Sequence, residues 1–393
     1  MNGRVLVRAA AGAAVVALGL SACTEPGSGG NDAEQVVKVG VLTSTSGLLA
    51  SYGQQFTEGF RAGLAYATGG SDTVGDVVLE VTYHDDATDP ATATAVATDL
   101  IGQGYQIITG TTSSGVAVQL APLAEQNQVL YISGPAATDA LTGINDHTFR
   151  SGRQTWQDVR AAASFLGDLA GSEVLVFAQD YDFGQSNVAA VEAVLGEAGG
   201  AVVSSVLVPL ETTDFTPFVR QVVDAEPDMV FVAWAGDTTA SMWQALSQQG
   251  VFDTTAVVTG LADRVGFPLF GDAAERISFL SHYFAEATDN EPARALAEAV
   301  GTPDIFHVDG FVAAQMVVRA VEAGGDDVPA MISALEGWTF TSPKGESTIR
   351  PEDHALLQPM FQARLVARDG GYVPEPVATL SPDQVAPPVA GGA

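Results

Sequence analysis

Residues 105–138, YQIITGTTSSGVAVQLAPLAEQNQVLYISGPAAT, hold one complete unit of chain organisation. Residues 105–109 are a β-branched run of strand type, 116–126 carry a helical period, and 129–132 form a second apolar run. Two short loops of small and hydroxyl-bearing residues follow the strands: Gly110-Thr111-Thr112-Ser113-Ser114-Gly115 and Ser133-Gly134-Pro135-Ala136-Ala137-Thr138. Strand, helix and strand in succession argue for a βαβ unit in a parallel sheet.

The same rhythm extends outward on both sides. Residues 37–42 and 77–83 read as strands, with helices over 54–67 and 91–101. Downstream, strands are expected at 173–178, 201–208, 228–233, 256–259 and 277–280, separated by helices over 185–196, 215–225 and 239–249. A long helix over 309–323 precedes short strands near 347–349 and 360–366. Two successive α/β runs of similar length and a return segment predict an α/β fold of two lobes facing each other across a cleft. Lobe 1 is expected from 36–151 and 283–339, lobe 2 from 152–282 and 340–372. The chain would cross between them near Ser151, His282 and Phe340. Residues 373–393, rich in Pro, Gly and Ala, read as a disordered tail.

At the N-terminus, Arg4 and Arg8 precede an apolar run ending in Leu20-Ser21-Ala22-Cys23. This is the layout of a secretory signal, too short to span a bilayer as a helix. Residues 1–22 are read as a lipoprotein signal peptide, Cys23 as the lipid-attachment residue, and 23–35, with Pro26 and Gly27-Ser28-Gly29-Gly30, as a flexible tether. Cys23 is the single cysteine of the chain, so neither a disulfide framework nor a thiolate metal site is possible. The expected location is the cell envelope, with the protein lipid-anchored to the outer face of the cytoplasmic membrane.

Charge narrows the partners. Removing the two signal-peptide arginines from 16 basic residues leaves 14 against 47 acidic, a formal charge of −33. Nucleic acid is not expected as a partner, because neutralising phosphates requires clustered Lys and Arg. An enzyme is not expected either. The five histidines at 84, 147, 282, 307 and 354 are scattered, and no nucleophile elbow or phosphate-binding loop is present.

Ligands of open parallel sheets sit beyond the carboxyl ends of the strands. In the first loop quoted above, four hydroxyls and the free N–H groups of a helix N-terminus converge, which suits a carboxylate; plain N-capping by Ser113 or Ser114 explains the same residues equally well. The second loop adds the Ala136 carbonyl and the Thr138 hydroxyl, which suit an ammonium. Arg153, Gln154 and Trp156, on the crossing after Arg150, form either a solvated hinge with one packed Trp or an aromatic or anion-selective wall. Tyr181 and Phe183 follow a strand of the second run and would form a lid for a bulky or aromatic ligand. The cluster His84-Asp85-Asp86 with Asp89 is not read as a metal site, because Asp89 before Pro90 is a natural helix cap. No cofactor or metal is expected.

In order, Thr45-Ser46-Gly47-Leu48-Leu49-Ala50-Ser51-Tyr52-Gly53, the run from Tyr83 to Pro90 and the Ser113-Ser114 loop resemble the leucine/isoleucine/valine-binding proteins of ABC importers. The resemblance spans about residues 36–372. It implies the type I periplasmic-binding-protein fold, with a parallel-rich sheet flanked by helices in each lobe and a hinge of three crossings. It also implies that Ser114 and Ser113 hold a ligand carboxylate, that Thr138 and the Ala136 carbonyl take the ammonium, and that Tyr52 lines the same face. In lobe 2 the aligned closing residues are Ala235 and Ala262, while Trp234 and Asp263 lie one step away. Either the register slips, and Trp234 and Asp263 take those roles, or the ligand lacks the usual ammonium contact. The implied function is a monomeric substrate-binding lipoprotein that closes on an amino acid or related small solute and engages the permease subunits of an ABC importer. Alternatives are a sensory receptor of the same fold, or a protein for amides, ureas or aromatic acids.

Overall fold

The computed structural model describes residues 35–165, 170–197 and 199–391. The signal peptide, Cys23 and the tether up to residue 34 lie outside the described residues. Gln35, read as the last tether residue, is already in a strand.

The first lobe begins β1 (Gln35–Thr43), α1 (Ala50–Thr68), β2 (Thr73–Val74), β3 (Val77–Asp85), α2 (Pro90–Gly102), β4 (Ile107–Gly110), α3 (Ser114–Asn127), β5 (Leu130–Ser133) and β6 (Thr148–Arg150). Its sheet has the order β2-β3-β1-β4-β5-β6, parallel except for β2. The alternation read from the sequence is thus realised as a doubly wound sheet. Local chemistry sets the boundaries: Asp89 accepts from the Thr92 N–H at 2.7 Å and Pro90 takes the first turn of α2.

The second lobe runs α4 (Thr155–Ala163), β7 (Glu173–Gln179), α5 (Asp182–Val191), β8 (Val202–Val208), α6 (Thr216–Ala225), β9 (Met229–Ala233), α7 (Thr239–Gln248), α8 (Val251–Thr254), β10 (Ala256–Gly260) and β11 (Ile277–Ser281). The chain then returns to the first lobe through α9 (Glu291–Val300), α10 (His307–Gly324), α11 (Val328–Leu335), β12 (Thr339–Ser342), β13 (Gly345–Ile349) and β14 (Leu356–Leu357). It ends in the second with β15 (Met360–Arg368), β16 (Gly371–Leu380) and α12 (Pro382–Val385). The second sheet has the order β16-β15-β11-β10-β9-β7-β8, and its last two strands are antiparallel.

Each sheet builds its own core. Val37, Val39, Val41, Ile107 and Ile132 pack with Phe56 and Phe60 of α1 and with α10. Helix α10 is buried almost all round, from His307 to Val321, because it lies between α1 and α11; a helix apolar on every face has to be an interior one. Glycines let α1 and α10 touch backbone to backbone. A Cβ on Gly59 would lie 1.9 Å from the His307 carbonyl oxygen, and one on Gly310 2.0 Å from that of Phe56.

Two expectations need correction. The third crossing is not near Phe340: Phe340, Ile349 and Leu356 belong to the first lobe's core, and Met360 is the first residue back in the second. The short strands β12–β14 pair with one another and fold back on α10 instead of crossing. Nor is 373–393 disordered. Pro374 and Pro376 lie in β16, the edge strand of its sheet, where a residue without an N–H is tolerated. Beyond it, Val385 is fully buried in the second lobe, while Arg350 donates to the carbonyls of Pro387 at 2.8 Å and Pro388 at 3.1 Å. Asp353 accepts from the Ala390 N–H at 2.9 Å. The C-terminal segment is a strap between lobes.

The crossings meet at a buried charge cluster. Asp309 of α10 is fully buried, with Lys344 Nζ 3.6 Å from Oδ1 and His282 Nε2 3.6 Å from Oδ2. Burial pushes the Asp309 carboxyl up to about 6 and the Lys344 amine down to about 8.

Candidate ligand-binding cleft

The carboxyl ends of β1, β4 and β5 in one lobe face those of β7, β9, β10 and β11 in the other, and between them lies a cleft with a wider arm of about 90 Å³ and a narrower one of about 30 Å³. The lobes are shut upon it. The Leu48 side chain lies against Gly236, Asp182 of α5 lies against Gly115 of α3, and the Ser186 hydroxyl accepts from the Asp139 N–H at 3.1 Å.

The Ser loop is shaped by strain and close approach. Gly110 has φ +119°, and a Cβ there would lie 2.2 Å from the Leu42 carbonyl oxygen. Thr111 has φ +71°, uncommon for a β-branched residue, and its hydroxyl pairs with the Tyr131 hydroxyl at 2.6 Å. Strained backbone held by buried partners is found where a site is being positioned. Ser113 is at the N-cap of α3, but its hydroxyl does not cap the helix. The Ser114 hydroxyl accepts from the Thr138 N–H at 3.3 Å and lines the narrower arm of the cleft with Thr112, Pro135 and Ala137.

Of the residues singled out in the sequence, Ser114, Tyr52, Tyr181 and Trp234 are brought together on the cleft wall. Trp234 stacks on Phe177 with ring centres 5.5 Å apart, and its indole N–H donates to Thr238 at 3.0 Å. Burial pushes the Tyr52 and Tyr181 hydroxyls above the usual phenol range, so both stay neutral.

The others are placed elsewhere. The Ala136 carbonyl accepts from Arg150 Nη2 at 2.9 Å, and the Thr138 hydroxyl accepts from the Ala140 N–H at 3.3 Å. Asp263 accepts from the Gly266 N–H at 3.2 Å and approaches Gln55 Nε2 at 3.5 Å, while Leu261 and Ala262 form the cavity wall at that loop. Burial, with the Asp304 charge nearby, pushes the Asp263 carboxyl up to about 6. Trp156 lines a different cavity, of about 280 Å³, against Pro387 and Pro388 of the strap. It is partly buried against the second lobe's core on α4, a helix that starts with a Gln154–Gln157 capping box absent from the usual Ser, Thr and Asp signals.

Two wall residues carry more weight than the sequence reading gave them. Phe306, just before α10, packs on Tyr52 with ring centres 4.4 Å apart. Nothing in the sequence separates it from the other 17 phenylalanines. Arg153, weighed as an anion-selective wall against a solvated hinge, lines both arms of the cleft and has a side chain only 12% exposed. Its Nε donates to Asp158 at 3.2 Å, its Nη1 to the Pro135 carbonyl at 2.8 Å, and its guanidinium lies 5.7 Å from the Phe306 ring centre. Burial pushes Asp158 up to about 6 against the pull of Arg153. It also drives His282 well below the usual imidazole range, so His282 is neutral and its Nε2 donates to the Ile305 carbonyl at 2.8 Å.

The comparisons with known proteins agree with this architecture. The periplasmic binding protein family model matches residues 36–371. Leu/Ile/Val-binding protein homolog 6 of Brucella melitensis is 27% identical over 360 residues, covering 88% of this chain and 92% of that one. An ABC-type branched-chain amino acid transporter structure from Rhodopseudomonas palustris is 30% identical with a TM-score of 0.75, covering 90% and 99% of the two chains. A solute-binding protein of the same species, solved with 4-hydroxybenzoate, is 26% identical with a TM-score of 0.80, covering 88% and 97%. The chain belongs to the periplasmic binding protein family and has the two-lobed, type I architecture of ABC-transporter solute-binding proteins.

Proposed function

We propose that this chain is the extracytoplasmic receptor of an ABC importer, anchored through a lipid on Cys23, which captures an amino acid or related small solute and presents it to the permease. The reading rests on the closed cleft, whose walls come from the carboxyl ends of strands in both lobes. Solute binds the Ser114 and Tyr52 face, the second lobe swings in about the three crossings, and the closed shape becomes the signal. No bond is made or broken.

The aromatic walls favour a second version of the same reading. Tyr52, Phe306, Phe183 and Trp234 offer flat faces better matched to a ring than to a branched aliphatic chain. A thermal-shift screen over branched and aromatic amino acids, benzoates, amides and ureas tests both versions. A solute at 100 times its dissociation constant adds about 2.7 kcal/mol to stability. Absence of any shift across the screen would remove the proposed role.

The anchor has its own test. Cys23→Ser expressed in a bacterial host is expected to move the protein from the membrane fraction to the soluble one. Retention with the membranes would refute lipid attachment at Cys23.

A further inference from the structure

We infer that Arg153 is the anion receptor of the cleft, and that the solute it selects is a ring-bearing carboxylate with no ammonium group. The inference rests on reading the cleft as a solute site and adds the chemical class and the residue that sets it.

The first observation concerns charge. Asp158 is the one carboxylate among the lining residues; Arg153 donates to its Oδ2 and balances its charge, while its Oδ1 is buried with no hydrogen-bond partner. The Ala136 carbonyl is held by Arg150, and Asp263 is engaged with the Gly266 N–H. An ammonium entering this cleft would lose its water to a wall whose one carboxylate is already charge-balanced by Arg153, and would lie beside that cation, a costly burial.

The second observation concerns donors. Arg153 is fixed by Asp158 through Nε, by the Pro135 carbonyl through Nη1 and by the Phe306 ring, and neither polar contact uses Nη2. The narrower arm of the cleft brings this guanidinium together with Thr112 and with Ser114 at the N-terminus of α3, a helix of 14 residues. A carboxylate placed there meets a pre-oriented cation on one side and helix N–H groups on the other. The wider arm, with Trp234, Phe183, Phe306 and Leu261, then receives the apolar body. The two arms share Tyr52, Arg153, Phe183 and Phe306, so one small molecule spans both.

The experiment is titration calorimetry at pH 7.5 on ligand-free protein with benzoate, 4-hydroxybenzoate, benzamide, phenylalanine and leucine. Benzoates are expected to bind about 30-fold or more tighter than benzamide, their neutral counterpart of like shape, as befits one charge-assisted hydrogen bond in a shielded site. Phenylalanine, with its added ammonium, is expected to bind more weakly than benzoate. In Arg153→Gln the benzoate-to-benzamide ratio should fall to about threefold or less, with Arg153→Lys between the two. Equal binding of benzoate and benzamide by the unmodified protein, or tighter binding of either amino acid, overturns the inference, and this arm needs no variant to fold. So does an Arg153→Gln protein that folds and keeps the full ratio. If the five compounds fail while some other solute of the wider thermal screen binds, the inference falls and the solute-receptor reading stands; if nothing in either set binds, both fall.

Discussion

Lys344→Ala is expected to lower the melting temperature by roughly 4–7 °C, as a loss of about 3–5 kcal/mol for stranding one member of a buried ion pair implies in a chain of this size. Lys344 is 1% exposed and Asp309 not at all, and their charged atoms lie 3.6 Å apart where three segments converge. Burial disfavours charge on both, yet the shifted values near 6 and 8 leave the carboxyl ionised and the amine protonated at neutral pH, so each compensates the other. Gly152 is packed against the same carboxylate, where an added Cβ would lie 2.9 Å from Oδ2, and the pair therefore ties the first crossing to α10 and to the β12–β13 turn. Lys344→Met combined with Asp309→Leu should recover most of the loss, because removing both charges also removes both desolvation costs. Thermal unfolding followed by circular dichroism decides the matter; a Lys344→Ala protein melting within 2 °C or so of the parent would show that the pair carries little of the hinge's stability.

Gly59→Leu is expected to prevent folding or to cost about 3 kcal/mol or more, the upper end of what overpacking usually does. Here the obstacle is backbone. The His307 carbonyl lies 1.9 Å from the position of a Cβ, and one turn later the Phe311 carbonyl lies 2.5 Å from a Cβ on Gly63. No side chain can turn aside, so α1 and α10 must move apart. Because Tyr52 belongs to α1 and Phe306 leads into α10, that movement also separates the two rings that form one wall of the cleft. Gly59→Ala should already show a large part of the effect. Gly102→Ala, at the end of α2 with open space around it, should be neutral or stabilising by up to about 1 kcal/mol. Urea midpoints compare the variants directly, and a Gly59→Ala midpoint equal to that of Gly102→Ala would refute the argument.

The parts of the fold visible in the sequence were those whose burial writes a period into the chain. β1, β4, β5, β7 and β9 to β11 are buried on both faces for much of their length, so their β-branched runs stand out, and α1, α3 and α10 follow them at helical spacing. Helix α4 was missed because Gln154 and Gln157 cap it, and the third crossing was misplaced because β12–β14 look like any exposed hairpin until they pack on α10. The tail was misjudged because composition says nothing about an edge strand's tolerance of proline.

The site divided along a similar line. Ser114, Tyr52, Tyr181 and Trp234 follow strand ends, where position alone suggests a role, and all four lie on the cleft wall. The competition for Ala136 and Asp263 could not be read, since their partners Arg150 and Gly266 become neighbours only through the folded turns. Arg153 was ambiguous for the converse reason: a charged residue on a crossing is solvated or buried according to how far the lobes close over it.

The strap described at the C-terminus has a mechanical corollary. Val385 is sunk in one half of the molecule and the Pro387 carbonyl is clasped by Arg350 of the other, with only Ala386 between them. At about 3.5 Å per extended residue, this leash runs out after roughly 7 Å. A swing that parts the two anchorages further has to undo the clasp or lift Val385 from its socket, so the jaw has a stop on its travel as well as a pivot.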